Sequence, residues 1–145
     1  MRSMPQKSLV LILARDLADK LASAMFVTDH EGTLVYFNER AEDILGQSFA
    51  DTGEMRMEEW SKAFVPMDFE GRTLPAEELP LAIALTQRSP THRALRIQGM
   101  DGNLRDIAVT ALPLFAHEEE LVGAAAIFWE HPPQESDPAA PGGSG

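Results

Sequence analysis

The sequence predicts an α+β fold: a five-stranded antiparallel sheet with helices on one face and an N-terminal amphipathic helix on or beyond the other. Three observations predict it. Short β-rich runs form one hairpin near the start and three longer segments in the last third. Helical patterns cluster between them. The last two β segments are apolar on both alternating sets of side chains, so their sheet is covered on both sides. At 145 residues, 44% hydrophobic and 24% charged, the chain fits one domain with a core that needs no staples.

Arg2 and Lys7 precede an apolar run from Leu9 to Ala14. That run is short for a secretory signal core, and Arg15-Asp16 follows it with no small-residue cleavage site. Nor is there a run of 18 apolar residues that would span a membrane. The apolar positions Val10, Leu13, Ala14, Leu17 and Leu21 instead recur at spacings of three and four, which predicts an amphipathic helix from about Lys7 to Ala22.

Ala24–Thr28 reads as the first strand, Asp29-His-Glu-Gly32 as a turn, and Leu34–Phe37 as the second strand. Asn38 then precedes Glu39–Leu45, and Gly46 follows. Asn is a favoured helix N-cap, acidic residues suit the first turn, and Gly suits the left-handed residue that ends a helix. Residues 47–75 read as irregular, with a short helix around Met57–Phe64. Glu77–Gln87 reads as a stronger helix, with Pro80 tolerable only in its first turn. Arg93–Gln98, Leu104–Phe115 and Leu121–Trp129 are the remaining strands. Asp101-Gly102 makes one turn between them and His117–Glu120 the other.

Charge divides the chain into three parts. Residues 1–23, the predicted helix, carry +2. Residues 24–131, the predicted domain, hold 8 basic against 19 acidic residues. Residues 132–145 are Pro-, Gly- and Ala-rich, carry −2, and are expected to be disordered. The whole chain is at −11. Nucleic-acid affinity comes largely from Lys and Arg neutralising phosphates, so this balance argues against nucleic acid as a partner, and against an anionic membrane for the same reason. With no cysteine there is no disulfide, thiolate metal site or cysteine nucleophile. These features together lead us to expect a cytoplasmic protein.

Tyr36-Phe-Asn-Glu-Arg-Ala-Glu-Asp-Ile-Leu-Gly46 resembles the PAS sensory-domain family, in which an Asn after a β-hairpin caps a short helix ending Leu-Gly. Glu70–Leu85 resembles the segment leading into the central PAS helix. Gly99–Leu114 with Val122–Phe128 resembles the last two PAS strands. The three pieces occur in the family's order and cover about residues 22–131. The resemblance implies a ligand cavity between the sheet and the central helix, and an N-terminal helix that often mediates dimers and passes on signals. The family's usual Asp-Ile-Thr after the last strand is replaced by Trp129-Glu-His131, and no kinase, cyclase or DNA-binding segment follows in this sequence. A free-standing module of this kind would signal through a separate partner, or only bind one.

Site chemistry is narrowed by residue type. The flavin-photochemical and yellow-protein branches of the family need a cysteine, which is missing. Haem-binding members place a His on the central helix, and Glu77–Gln87 has none; His92 follows only at the next strand. No cofactor is therefore expected, neither haem nor flavin, and no His, Asp or Glu spacing suggests a metal. For a small apolar ligand the candidate lining residues are Phe26, Leu45, Trp60, Phe64 and Leu81, with Leu85, Leu95, Ile97, Val109 and Ile127 completing the set. Arg88, His92, Arg93 and Arg96 form a basic cluster that could hold a small anion. Charge balancing on the surface is the plainer account of them. Leu13, Leu17 and Leu21, with the outer sheet face, are the expected homodimer contact. Carboxylate pairs at Glu58-Glu59, Glu77-Glu78 and Glu118–Glu120 fall in helix starts and turns, not in an enclosed cleft, and no catalytic motif accompanies them. The reading is a sensory module that binds a small molecule or a protein partner. Its competitors are a pure interaction module, a haem or flavin sensor and, last, a small enzyme.

Overall fold

A computed structural model describes residues 6–117 and 120–130, with side chains from Leu9 onward. The predicted tail, Glu118, Glu119 and His131 lie outside the described residues. The order is α1 (Gln6–Lys20), β1 (Ala24–Asp29), β2 (Leu34–Phe37), α2 (Glu39–Leu45), α3 (Phe49–Thr52), α4 (Met57–Ala63), a single 3-10 turn (Ala76–Glu78), α5 (Pro80–Gln87), β3 (Thr91–Gln98), β4 (Leu104–Phe115) and β5 (Leu121–Glu130). All five strands pair antiparallel in the order β2-β1-β5-β4-β3. The predicted α+β architecture is the observed one.

Two predicted elements differ. The helix expected over Glu77–Gln87 starts at Pro80, because the residue before a proline is pushed out of the helical region. Leu79 accordingly sits extended at φ −78°, ψ 147°, and the acidic pair before it forms the separate 3-10 turn. Within 47–75 a further one-turn helix, α3, is capped by the Ser48 hydroxyl accepting from Asp51 N. A four-residue helix has no periodicity to read, so a local cap alone signals it.

Each face of the sheet buries its own cluster. Toward α2, α4 and α5 lie Phe26, Phe37, Trp60, Phe64, Leu81, Leu95, Ile107 and Phe128. On the other face, α1 of the same chain sets Ala14 and Ala18 on Met25, Val27 and Ala125, with Leu11 and Leu21 flanking. Small residues let this helix approach. At Gly123 a Cβ would fall 2.2 Å from Thr28 O and 3.0 Å from Leu11 Cδ2, so only glycine admits both neighbours there.

Asn38 joins the two layers. Its Oδ1 accepts from Ala41 N at 3.0 Å, which caps α2 as expected, and from Met25 N at 3.0 Å. Its Nδ2 donates to Ala18 O at 2.8 Å and Ser23 O at 2.9 Å. The helix it caps ends at Gly46 (φ 78°), where a Cβ would lie 2.8 Å from Asp101 N. The β3–β4 hairpin closes over that end: Met100 N donates to Leu45 O and Arg105 Nη1 to Ile44 O. The final carbonyls of the helix are thereby satisfied.

A second tie holds α1. The Tyr36 hydroxyl donates to Asp19, and the Arg15 guanidinium stands 4.7 Å from the Tyr36 ring centre. Arg40 Nε donates to Ala22 O. Burial, and then the Asp19 carboxylate, push the Tyr36 hydroxyl up to about 12.

Two outcomes follow. Asn38→Ala strands two buried N–H groups and two carbonyls, so urea unfolding should show a loss of about 3–4 kcal/mol. The Tyr36 phenol is held neutral by the fold, so its contribution is complete below pH ~10 and is lost as the pH rises to about 12. Wild-type stability should fall more steeply over that window than that of Tyr36→Phe; parallel curves would remove this tie.

Candidate functional site

Between the inner sheet face and the helices lies a cavity of about 80 Å³. Each wall has a local cause. β1 supplies Phe26. β3 supplies Leu95 and Ile97, β4 supplies Ile107 and Val109, and β5 supplies Ala126 and Phe128, all by the two-residue alternation of a strand. Leu45 comes from the last turn of α2. Trp60 comes from α4 and Phe64 from the residue that ends it, at a spacing of four that puts both on one side. Leu79, Pro80 and Leu81 surround the start of α5, and Pro66 closes the gap between the helices.

The wall is wholly apolar. Trp60 turns its one polar atom away, with Nε1 donating to Gly32 O at 2.9 Å. Phe26 organises the aromatic side: its ring centre lies 5.2 Å from that of Trp60 and 6.4 Å from that of Phe64, both edge to face. Such a cavity favours a small apolar occupant, since it offers no hydrogen bond to hold water. Its volume is well below the roughly 300–1,000 Å³ of pockets that enclose drug-sized ligands.

Eight of the ten predicted lining residues stand on this wall: Phe26, Leu45, Trp60, Phe64, Leu81, Leu95, Ile97 and Val109. Two do not. Leu85 is buried in the same core, one turn beyond Leu81, but off the wall. Ile127 points to the opposite face and packs with α1; Ala126 and Phe128 take the inner side. Both alternating sets of β5 are apolar, so composition alone left its facing open. Ile107, missed in the sequence, shares the side of Val109 and follows from strand alternation.

The basic cluster disperses. Arg96 Nε donates to Asp106 Oδ1 at 2.6 Å, and its guanidinium lies over Phe69. Arg93 Nη1 donates to Glu78 O at 3.4 Å. Arg88 lies over the Phe115 ring. His92 Nδ1 is 2.9 Å from Thr110 Oγ1, beside Trp129, on the sheet face away from the cavity. An anion would have to displace acidic or aromatic neighbours, and the charge-balancing account fits these positions better.

The helix residues separate likewise. Leu13 is 58% and Leu17 52% exposed, with Leu9 and Ile12 beside them in the same apolar ridge. Leu21 instead packs on its own sheet, because it continues the stripe of Leu11, Ala14 and Ala18. Among the described residues no three His, Asp or Glu side chains stand together where they could hold a metal ion, and no helix is long and apolar enough to cross a membrane.

At Val65, between Phe64 and Pro66, the backbone takes φ 42°, a region that β-branched residues rarely adopt.

Comparison with known proteins adds to this geometry. Residues 18–131 match the family model described as the PAS fold. No curated protein matches the chain. Among solved structures, a PAS domain from Colwellia psychrerythraea is similar at TM-score 0.61 and 18% identity, covering 84% of this chain and 97% of that one. The PAS domain of BvgS from Bordetella pertussis is similar at TM-score 0.58 and 19% identity, covering 86% and 87%. A LOV protein from Rhodobacter sphaeroides gives TM-score 0.62 at 13% identity, over 87% and 68%.

Val65→Gly should raise stability by about 1 kcal/mol, because glycine adopts positive φ without the Cβ clash. A higher urea midpoint at unchanged slope is the expected result.

Proposed function

The chain belongs to the PAS-fold family of sensory signalling modules, and on that footing we propose that it binds a small apolar molecule or a protein partner and signals through the packing of a homodimer. The observation that carries the reading is the two-sided use of β5. Ala126 and Phe128 wall the cavity, while Ala125 and Ile127 between them carry α1. A ligand that shifts this strand therefore displaces α1 through adjoining residues. For that it must bind the two arrangements with different affinity.

The outward ridge of α1 supports self-association. Leu9, Ile12, Leu13 and Leu17 are exposed together, and an apolar ridge on a helix already packed on its other side favours a partner. Charge points to a second copy. From Leu9 to Lys20 the helix carries two basic and two acidic residues, whereas residues 24–131 hold the chain's excess of 11 negative charges. Two copies approaching through α1 meet the least repulsion. In this reading residues 1–23 serve as the signal helix, 24–131 as the sensory domain.

The proposal includes no haem or flavin. A small, wholly apolar wall without a histidine offers neither an iron ligand nor partners for a flavin ring's polar edge. An interaction module without any ligand is the second reading, favoured by the cavity's small size.

Sedimentation velocity should show a wild-type dimer that Leu17→Glu converts to a monomer; a monomeric wild type overturns the homodimer. Xenon NMR should show saturable binding, abolished by Ala126→Leu, which fills the cavity. Absence of xenon binding leaves the pure interaction module.

A further inference from the structure

We propose that α4 is a lid hinged at Val65, and that an elongated apolar ligand binds by swinging it outward. This rests on the reading of the inner cavity as the ligand site. Three successive residues alternate across a thin partition: Phe64 and Pro66 line the inner cavity, and Val65 lines a groove of about 370 Å³ behind it. Lys62, Leu74 and Pro75 form other parts of that groove. The inner cavity alone is too small for an organic ligand, whereas the groove already falls within the roughly 300–1,000 Å³ of pockets that enclose one; joined, they make a single site with a wholly apolar inner end.

The strained residue stands where such a partition would turn. Unfavourable backbone persists only where its surroundings over-determine it. Here the chain after Val65 is firmly held. Met67 and Arg96 exchange backbone hydrogen bonds of 2.8 and 2.9 Å, and Leu74 N donates to Pro66 O at 3.0 Å. Before it, the end of α4 closes on longer bonds within the helix. Phe64 N reaches Trp60 O, and Val65 N reaches Lys62 O, both at 3.3 Å. Upstream, Met55 is bonded to Leu34 in both directions, at 2.7 and 3.2 Å. The helix between these two stitched points therefore moves when Val65 relaxes. Two hydrogen bonds, Trp60 Nε1 to Gly32 O and Gln98 N to Phe64 O, latch it shut together with the packing of Trp60 and Phe64 on Phe26.

The ligand class follows from the walls. Its inner end must be uncharged and apolar, since every side chain that lines the inner cavity is apolar. Its length must exceed the inner cavity, so that binding favours the open lid over the closed one.

The test uses Trp60 as its own reporter. The chain has two tryptophans, so Trp129→Phe leaves Trp60 alone. In that background 1-octanol should shift the Trp60 emission saturably. Val65→Gly and Val65→Asn, which both accept positive φ, should stabilise the closed lid and weaken octanol binding by about tenfold. Xenon binding to the inner cavity should stay unchanged in both. Equal octanol affinity in all three proteins overturns the lid, as does xenon binding with no octanol binding. Failure of xenon to bind any of them overturns the cavity reading itself.

Discussion

Asn38 is buried with no hydrogen-bonding capacity to spare. Its amide accepts from the start of β1 and the first turn of α2, and it donates to the end of α1 and the turn after it. A buried amide is costly unless all its groups are paired, so these three elements hold their relative positions or the site fails as a unit. The two layers of the molecule meet at this point. On one side α2 continues into the wall of the cavity through Leu45; on the other α1 is fixed over the outer face of the sheet.

The sheet between those layers is thin and has little slack. Ala124, Ala125 and Ala126 in β5, Ala14 and Ala18 in α1, and Gly123 bring backbone close to backbone. Interiors packed at this density transmit small displacements, because no void absorbs them. The apolar cavity is a place on the inner face where this packing is relaxed. Adjacent residues of one strand face the two sides: Ala126 the cavity and Ala125 the outer helix.

Much of this was legible in the residues themselves. Asn38 and Gly46 announce their helix because capping is local: the side chain bonds three residues away, and the left-handed residue directly follows. Eight wall residues were legible because strand alternation and helical spacing sort side chains without reference to partners. What escaped has a shared physical cause. Where both sides of an element are apolar, periodicity says that it is buried and not which way it faces. Ile127 was assigned inward for that reason, and Leu21 outward. The basic residues around β3 were near in sequence, but alternate strand faces and nearby acidic and aromatic groups drew them apart.

The sequence by itself determined the order of the strands and the longer helices, the capped helix, the two-sided sheet and the absence of any thiol chemistry. Each depends on residue type and on spacings of two to four, which short-range sterics and hydrogen bonding decide. Only the tertiary structure decided that α1 covers its own sheet, that Leu13 and Leu17 remain outside it, and that Val65 is held at positive φ between two fixed points. Those features depend on residues brought together from distant parts of the chain, and local preference at Val65 runs against the conformation that the surrounding hydrogen bonds impose.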